Sequence, residues 1–255
     1  VAASRTAERA SHGTRAEVAG RQQREHGEDM PGHTHFDEAT EEYLEAVYRL
    51  EREGPGVTTS TLASELGVSP ASVSGMVKRL VSDGYLEQRG RGDAHLTEKG
   101  LGVAVRVVRR HRLAECFLTD VLGLGWEEVD AEACRLEHAI SARVEERLVA
   151  FLGDPKVCPH GHPIPPIDLS EPPRPGVPLA QMEAGRQYQV YGVVHEVPEL
   201  LVYLAQLGLR PGVTVDVRYR APLGGPLTIG IGDQQHAISL DLARNVLVLP
   251  DGAES

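Results

Sequence analysis

The stretch that most constrains this 255-residue chain runs from Thr58 to Thr97, where helix starts and stops follow one another closely. Thr58 can cap a short helix carrying Leu62, Ala63 and Leu66, which Gly67 then breaks. Ser69-Pro70 supplies an N-cap and a first-turn proline for a second helix with Val73, Met76, Val77 and Leu80 on one face, and Gly84 closes it. Residues 85–88 and 94–97, joined by a turn at 89–93, read as the two strands of a small hairpin. Ahead of them, Tyr43, Leu44, Val47, Tyr48 and Leu50 recur at helical spacing from Asp37 until Gly54-Pro55-Gly56 stops the pattern. Two helices meeting at a tight glycine turn and followed by a hairpin make a winged helix-turn-helix.

The rest of the chain organises around that unit. Residues 1–36 hold hardly a large apolar side chain and read as a disordered leader, with Met30 at its end as a second place where translation could begin. Beyond the wing, helical patterns cover residues 98–122 and 126–152, both long enough to cross a dimer interface. Residues 154–178 carry nine prolines and read as a semi-rigid linker. Residues 188–194, 213–219, 227–231 and 246–249 alternate or run apolar between Gly/Pro turns, as strands of a small SH3-like barrel. The expected fold class is therefore α+β. It comprises a winged-helix domain over 37–98, a helical domain over 99–153, the linker over 154–178 and a β domain over 179–255.

Formal net charge is -11, which alone argues against nucleic acid. Between Ser69 and Arg112, however, nine cations stand against four acids, a local excess of five that suits a phosphate backbone. No apolar run reaches membrane-spanning length, and the first residues lack a secretory signal. Three cysteines do not make a disulfide framework, so a reducing cytoplasm is expected, with each thiol a core residue or a ligand.

Three helical segments each offer paired metal ligands. Cys134, Glu137 and His138 stand at i, i+3 and i+4, which puts a thiol, a carboxylate and an imidazole on one helix face. Glu42 and Glu45 stand at i, i+3, and His111 and Glu115 at i, i+4. A lone glutamate pair is usually a solvated face, and a lone cysteine usually a small core residue. Three such groups beside a DNA-binding motif point to a metal-responsive protein.

The segments Glu42-Tyr43-Leu44, Ser69 to Ser74, His111 to Glu115, Glu132 to His138 and Gly161 to Pro165 resemble the diphtheria-toxin-repressor family of iron- and manganese-dependent regulators. The likeness is close over residues 37–167 and looser over the C-terminal domain. It implies a primary metal site from Glu42, Cys134, Glu137 and His138, and an ancillary site containing His111 and Glu115. Glu42 stands where iron regulators carry Met and manganese regulators a carboxylate, and Glu45 stands where manganese regulators have an acidic ligand. Asp130 replaces an ancillary His of the iron regulators, while Cys134 is the iron-type residue. Two harder donors against one soft one favour Mn(II), with Fe(II) the alternative. In the C-terminal domain, Gly192 falls where iron regulators place a Glu ligand, Glu196 is its substitute, and His195 is either a further ligand or a polar loop residue. Cys158-Pro159-His160-Gly161-His162 invites a zinc reading, but the resemblance makes it a structural segment of the linker.

On the DNA side, Ser69, Ala71, Ser72 and Ser74 open the recognition helix, with Lys78 and Arg79 as phosphate partners. Gly75 stands where iron regulators have Gln, which removes a base contact and shifts weight to DNA shape. The expected protein is a dimeric, metal-dependent repressor on double-stranded operator DNA. It has no membrane association and no small-molecule substrate. A metalloenzyme using the same ligands would leave the basic winged helix without purpose. A metal-independent winged-helix regulator with an organic effector would hold no stoichiometric metal.

Overall fold

The computed structural model describes residues 36–54, 56–90, 93–166, 168 and 176–249. The leader reading and Met30 fall almost wholly outside them. The described residues from Glu38 onward form one unit.

Helix α1 (Glu38–Glu53) precedes α2 (Thr59–Glu65) and α3 (Pro70–Ser82). Thr58 caps α2 through a reciprocal box with Thr61, and Ser69 caps α3 by accepting from the Ser72 N–H. Each such cap is worth about 1 kcal/mol. Strands β1 (Leu86–Arg89) and β2 (Asp93–Leu96) pair antiparallel as the wing. Leu44, Leu62, Val73, Leu80 and Leu86 are fully or almost fully buried, so one apolar core holds α1 to α3 and the wing. The winged helix-turn-helix thus forms from local punctuation.

Helix α4 (Glu98–Asp120) follows, capped by Thr97. The second long helix expected from the sequence is instead two, α5 (Val129–Glu137) and α6 (Ala142–Leu152). Ser141 starts α6 by accepting from the Val144 N–H, and the apolar periodicity hides this break because Ile140 is buried within it. Helix α6 buries no residue of its own, and Val144 and Phe151 are exposed, Phe151 to 69%.

The proline-rich segment is not a free linker over its first half. Cys158, His160, His162 and Ile164 are buried. The Arg112 guanidinium donates to the Pro163 carbonyl at 2.5 Å, and Arg109 donates to the Pro165 carbonyl. Proline carbonyls are strong acceptors even where the ring removes the donor, so two α4 arginines can hold this segment along the helix.

The C-terminal domain is a six-stranded antiparallel sheet. Its strands are β3 (Val177–Pro178), β4 (Arg186–Val193), β5 (Thr214–Arg220), β6 (Leu227–Ile231), β7 (Gln234–Ile238) and β8 (Val246–Leu249), in the order β3-β8-β4-β5-β6-β7. Helix α7 (Pro198–Leu207) buries Leu201 and Leu204 in its core, and α8 (Leu240–Asn245) precedes β8. Neither β3, β7 nor the two helices were anticipated. Trp126, from the α4–α5 connection, is buried in that same core and so ties the β domain to the helical one.

A second tie is backbone against backbone. Gly161, at φ +88°, and Gly192, at a register shift in β4, approach so closely that a Cβ on Gly161 would lie 2.2 Å from the Tyr191 carbonyl oxygen. The Val193 N–H donates to the His160 carbonyl at 3.0 Å beside them. Gly192 is therefore a contact point, and the β4–α7 loop just beyond it is delivered to the helical domain.

Candidate metal centre

His111, on α4, is the pivot of the site. Its Nδ1 lies 2.6 Å from Glu137 Oε2 and 3.9 Å from Cys134 Sγ, both on α5. Its Nε2 lies 3.6 Å from Glu115 Oε1 and 3.5 Å from Asp130 Oδ1. One imidazole therefore faces two groups of donors. His111, Cys134 and Glu137 could hold one ion, and His111, Glu115, Asp130 and Glu196 another. The i, i+4 spacing on α4 and the i, i+3 spacing on α5 produce this because both helices turn the same face inward.

A further group, Glu115, Cys158, His160 and Glu196, offers four donors within reach of one ion. His160 is fully buried; its Nε2 lies 2.6 Å from the Trp126 carbonyl oxygen, and Nδ1 faces Glu115. His162 Nε2 lies 2.6 Å from Glu196 Oε1. The Cys-Pro-His-Gly-His segment, assigned a purely structural part from the sequence, therefore brings ligand-type side chains to the site. The residue types were visible; their partner Glu115, 45 positions away, was not.

The ten candidate ligands divide as follows. His111, Glu115, Cys134, Glu137, Asp130 and Glu196 converge. Glu45 is buried against Glu137, to which it is hydrogen-bonded. His138, the C-cap residue of α5, turns toward α1, with Nδ1 2.7 Å from Glu41 and Nε2 3.2 Å from Glu137 Oε1. Glu42 is exposed and groups with Glu38 and His138, and no group among the described residues joins it to Cys134. His195 is exposed and lines a cavity of about 290 Å³ whose wall also includes Glu45, Asp130, Cys134 and Glu196.

The electrostatics show what the donors lack. Burial raises Glu45, and neighbouring Glu137 adds to it against the pull of Arg49, to about 7. Burial would also raise Glu115, yet His111 and His160 hold it down at about 2. His138 is raised to about 10, first by its hydrogen bond to Glu137 and then by Glu41. Burial opposes the charge on His160, but Glu115 prevails and raises it to about 9. Burial lifts the Cys134 and Cys158 thiols. Protonated imidazoles thus sit among carboxylates where a cation would otherwise be. Even so, His111 Nε2, Glu115 Oε2 and Asp130 Oδ1 are buried with no hydrogen-bond partner. Orphaned buried polar atoms cost about 1–3 kcal/mol each. Orphaned atoms on two carboxylates and an imidazole of one donor group fit a divalent transition metal.

Helix α3, read from the sequence as the recognition helix, carries exposed Ala71, Ser72, Gly75 and Lys78. The Ser69 and Ser72 hydroxyls bond each other at 2.9 Å, and Ser74 donates to the Pro70 carbonyl at 2.9 Å. Arg79 pairs with Asp83 at 3.8 Å and donates to the buried Thr40 hydroxyl on α1 at 3.3 Å.

Residues 35–94 match the N-terminal DNA binding domain of iron dependent repressors, and residues 97–166 match their metal binding and dimerisation domain. Residues 177–250 match the FeoA domain. The chain is 39% identical over 225 residues to the iron-dependent repressor IdeR of Mycobacterium tuberculosis, covering 83% of this chain and 96% of that protein. It is 41% identical over 131 residues to the diphtheria toxin repressor of Corynebacterium diphtheriae, covering 51% and 58%. Among solved structures, a manganese-dependent transcriptional repressor in complex with manganese superposes with a TM-score of 0.76 at 31% identity, covering 82% of this chain and 99% of that one. The IdeR of T. acidophilum gives 0.70 at 28%, covering 83% and 97%.

Proposed function

The chain belongs to the iron-dependent repressor family of metal-dependent transcriptional repressors, and from that premise we propose how its own residues carry metal to DNA. The protein is a repressor rather than an enzyme, acting as a homodimer on operator DNA. One ion would be held by His111, Cys134 and Glu137, with Glu45 and His138 beside them. A second would be held by His111, Glu115, Asp130 and Glu196, with Cys158 and His160 completing the donor set around Glu115 and Glu196. The observation that carries this reading is the set of orphaned buried atoms on His111, Glu115 and Asp130.

A divalent ion supplies the charge and directional bonds that draw these donors together. The donors stand on different parts of the fold: Glu45 on α1, His111 and Glu115 on α4, Cys134 and Glu137 on α5, and Glu196 on the β4–α7 loop. Fixing them to one another fixes α1 against α4. Through Thr40 and Arg79, the position of α1 reaches the recognition helix α3. Two half-sites on one duplex are met only when both recognition helices are correctly spaced across the dimer. Ser69, Ala71, Ser72, Ser74 and Lys78 are the DNA-facing residues in this reading, and Arg79 both positions α3 and contacts phosphate. Exposed Val144 and Phe151 on α6 fit a second copy of the chain.

Mn(II) is the favoured ion, because carboxylates outnumber thiols over the donor groups taken together and hard oxygens suit Mn(II), with Fe(II) the alternative. Glu42, which groups with His138 and Glu38 rather than with Cys134, tests whether the ion's surroundings extend to α1 through His138. Glu42→Met would replace an oxygen donor beside His138 by a soft sulfur and move selectivity from Mn(II) toward Fe(II) or Co(II). An unchanged ion ranking in anaerobic titrations would remove Glu42 from the metal's surroundings.

Metal uptake is also expected to release protons. His138 and His160, raised to about 10 and 9, are cationic at neutral pH and must lose a proton to ligate, as must Cys134 and Cys158. Apparent affinity should therefore rise with pH between 6 and 8, by roughly tenfold per pH unit for each proton displaced. Calorimetry in buffers of different ionisation enthalpy counts those protons. Stoichiometric Mn(II) binding with no proton release would mean that these side chains are not ligands, and no stoichiometric binding at all would sink the metal reading.

A further inference from the structure

The ligand groups leave two charges unexplained, the buried Glu41 on α1 and the partly buried Arg110 on α4. Glu41 is 7% exposed; its Oε2 lies 2.7 Å from His138 Nδ1, and its Oε1 lies 3.7 Å from Arg110 Nη1. In the other direction, Arg110 Nε lies 3.5 Å from Glu145 Oε2 on α6. Arg109 donates to the second oxygen of Glu145 at 2.7 Å and also holds the Pro165 carbonyl. A chain of alternating charge, His138–Glu41–Arg110–Glu145–Arg109, thus runs from the end of α5 across α1 and α4 to α6.

Burying such a chain is costly and seldom stabilises a fold more than apolar packing would. Arg110 is not even fully satisfied, since its Nε is buried with no hydrogen-bond partner. The guanidinium stands between two carboxylates on two different helices and closes tightly on neither. That suits a group whose position is set by both helices.

We propose that Arg110, acting through Glu41, is the positioning residue for His138, selecting which ring nitrogen is presented to a metal ion and making that presentation depend on α6. The proposal rests on the reading of His138 as a ligand. An imidazole bonded to a carboxylate keeps its proton on the bonded nitrogen and leaves the other free to ligate. Glu41 occupies Nδ1, so Nε2 is the nitrogen left, and it faces Glu137 Oε1 at 3.2 Å. Without Arg110, Glu41 would lose the cation that holds its second oxygen, and its contact with His138 would be left as its one ion pair among the described residues, beside the acids Glu38, Glu42 and Glu45 of α1. Glu145 anchors Arg110 to α6, so displacement of α6 would be felt at the ligand.

The test uses the full-length protein titrated anaerobically with Co(II) and with Mn(II), comparing wild type with Arg110→Gln, Arg110→Lys, Glu145→Gln, His138→Ala and the Arg110→Gln/His138→Ala pair. Arg110→Gln and Glu145→Gln should each weaken the ion bound at Cys134 and Glu137 by roughly 10–100-fold and alter its Co(II) absorption, the usual size for a lost partner of a ligating histidine. Arg110→Lys should restore part of the loss. In the His138→Ala background, Arg110→Gln should add no more than about twofold, since its route to the ion is gone. Wild-type affinity in both Arg110→Gln and Glu145→Gln would overturn the proposal. So would an equal loss with and without His138, which is what a purely structural role gives. Wild-type binding by His138→Ala would instead remove His138 from the ligands, overturning that assignment and the proposal with it.

Discussion

His111→Ala should abolish metal-dependent DNA binding and lower affinity for both ions, by at least about 100-fold for the one at Cys134 and Glu137. The size follows from its position. Its two nitrogens face Glu137 and Cys134 on one side and Glu115 and Asp130 on the other. No other residue among those described joins the two donor groups on both sides in this way. Removal also leaves Glu137 and Glu115 buried without their cationic neighbour, a break that typically costs about 3–5 kcal/mol. The metal-free variant should therefore melt well below wild type. His111→Gln keeps the volume and one hydrogen bond but cannot carry the charge, so it should fold better and still fail to bind DNA. Equilibrium dialysis with Mn(II), alongside thermal unfolding, separates the two effects. Wild-type Mn(II) binding by either variant would contradict the assignment.

Gly161→Ala is expected to undock the β domain. The added Cβ would lie 2.2 Å from the Tyr191 carbonyl oxygen and 2.5 Å from Gly192 Cα, both backbone atoms that cannot step aside cheaply. The backbone at φ +88° adds a further penalty for an L side chain. Together these are worth about 3 kcal/mol. The winged helix should survive, because its caps and core lie elsewhere. Glu196, which follows Gly192 on β4 by four positions, would then leave Glu115, Cys158 and His160. Trp126, the single tryptophan, is buried in the β-domain core with its ring 5.6 Å from that of His160. Its emission should shift to longer wavelength in the variant and lose its response to Mn(II). An unchanged spectrum and an unchanged response would show that the close approach is not what holds the domains together.

These two sites mark where the sequence could be read and where it could not. Thr58 and Ser69 are caps, and a cap is a contact between residues three apart, so the starts of α2 and α3 were legible, whereas Thr97, read as the end of a wing strand, caps α4. That α4 and α5 each present donors on one face was legible for a related reason, spacing along the helix, but the sequence put His111 with Glu115 alone and did not show it standing between Glu115 and the Cys134–Glu137 pair. The gap between α5 and α6 was not, because Ile140 continues the apolar rhythm across it. Strand β7 was missed because Gln234, Gln235 and His236 are polar and occupy a sheet edge, where one neighbour suffices. The proline-rich segment misled most. Its composition suggests an extended tether, but burial of Cys158, His160 and His162 depends on Arg109, Arg112 and Gly192, all distant in sequence. Glu41 and Arg110 had no signal at all, since an acid on α1 and an arginine in a basic stretch look solvated until α6 is placed beside them.

The central claim is that ions at these donors switch DNA binding on. The most direct measurement is affinity for duplex DNA, selected from a random library with Mn(II) present, as a function of free Mn(II) and of Fe(II) under anaerobic conditions. Wild type should bind that duplex at micromolar free metal or below, lose it by at least about 100-fold in chelator, and regain it when metal is restored. His111→Gln should stay at the chelated level at every metal concentration. Equal affinity for the duplex in chelator and in saturating Mn(II) or Fe(II) would contradict the account.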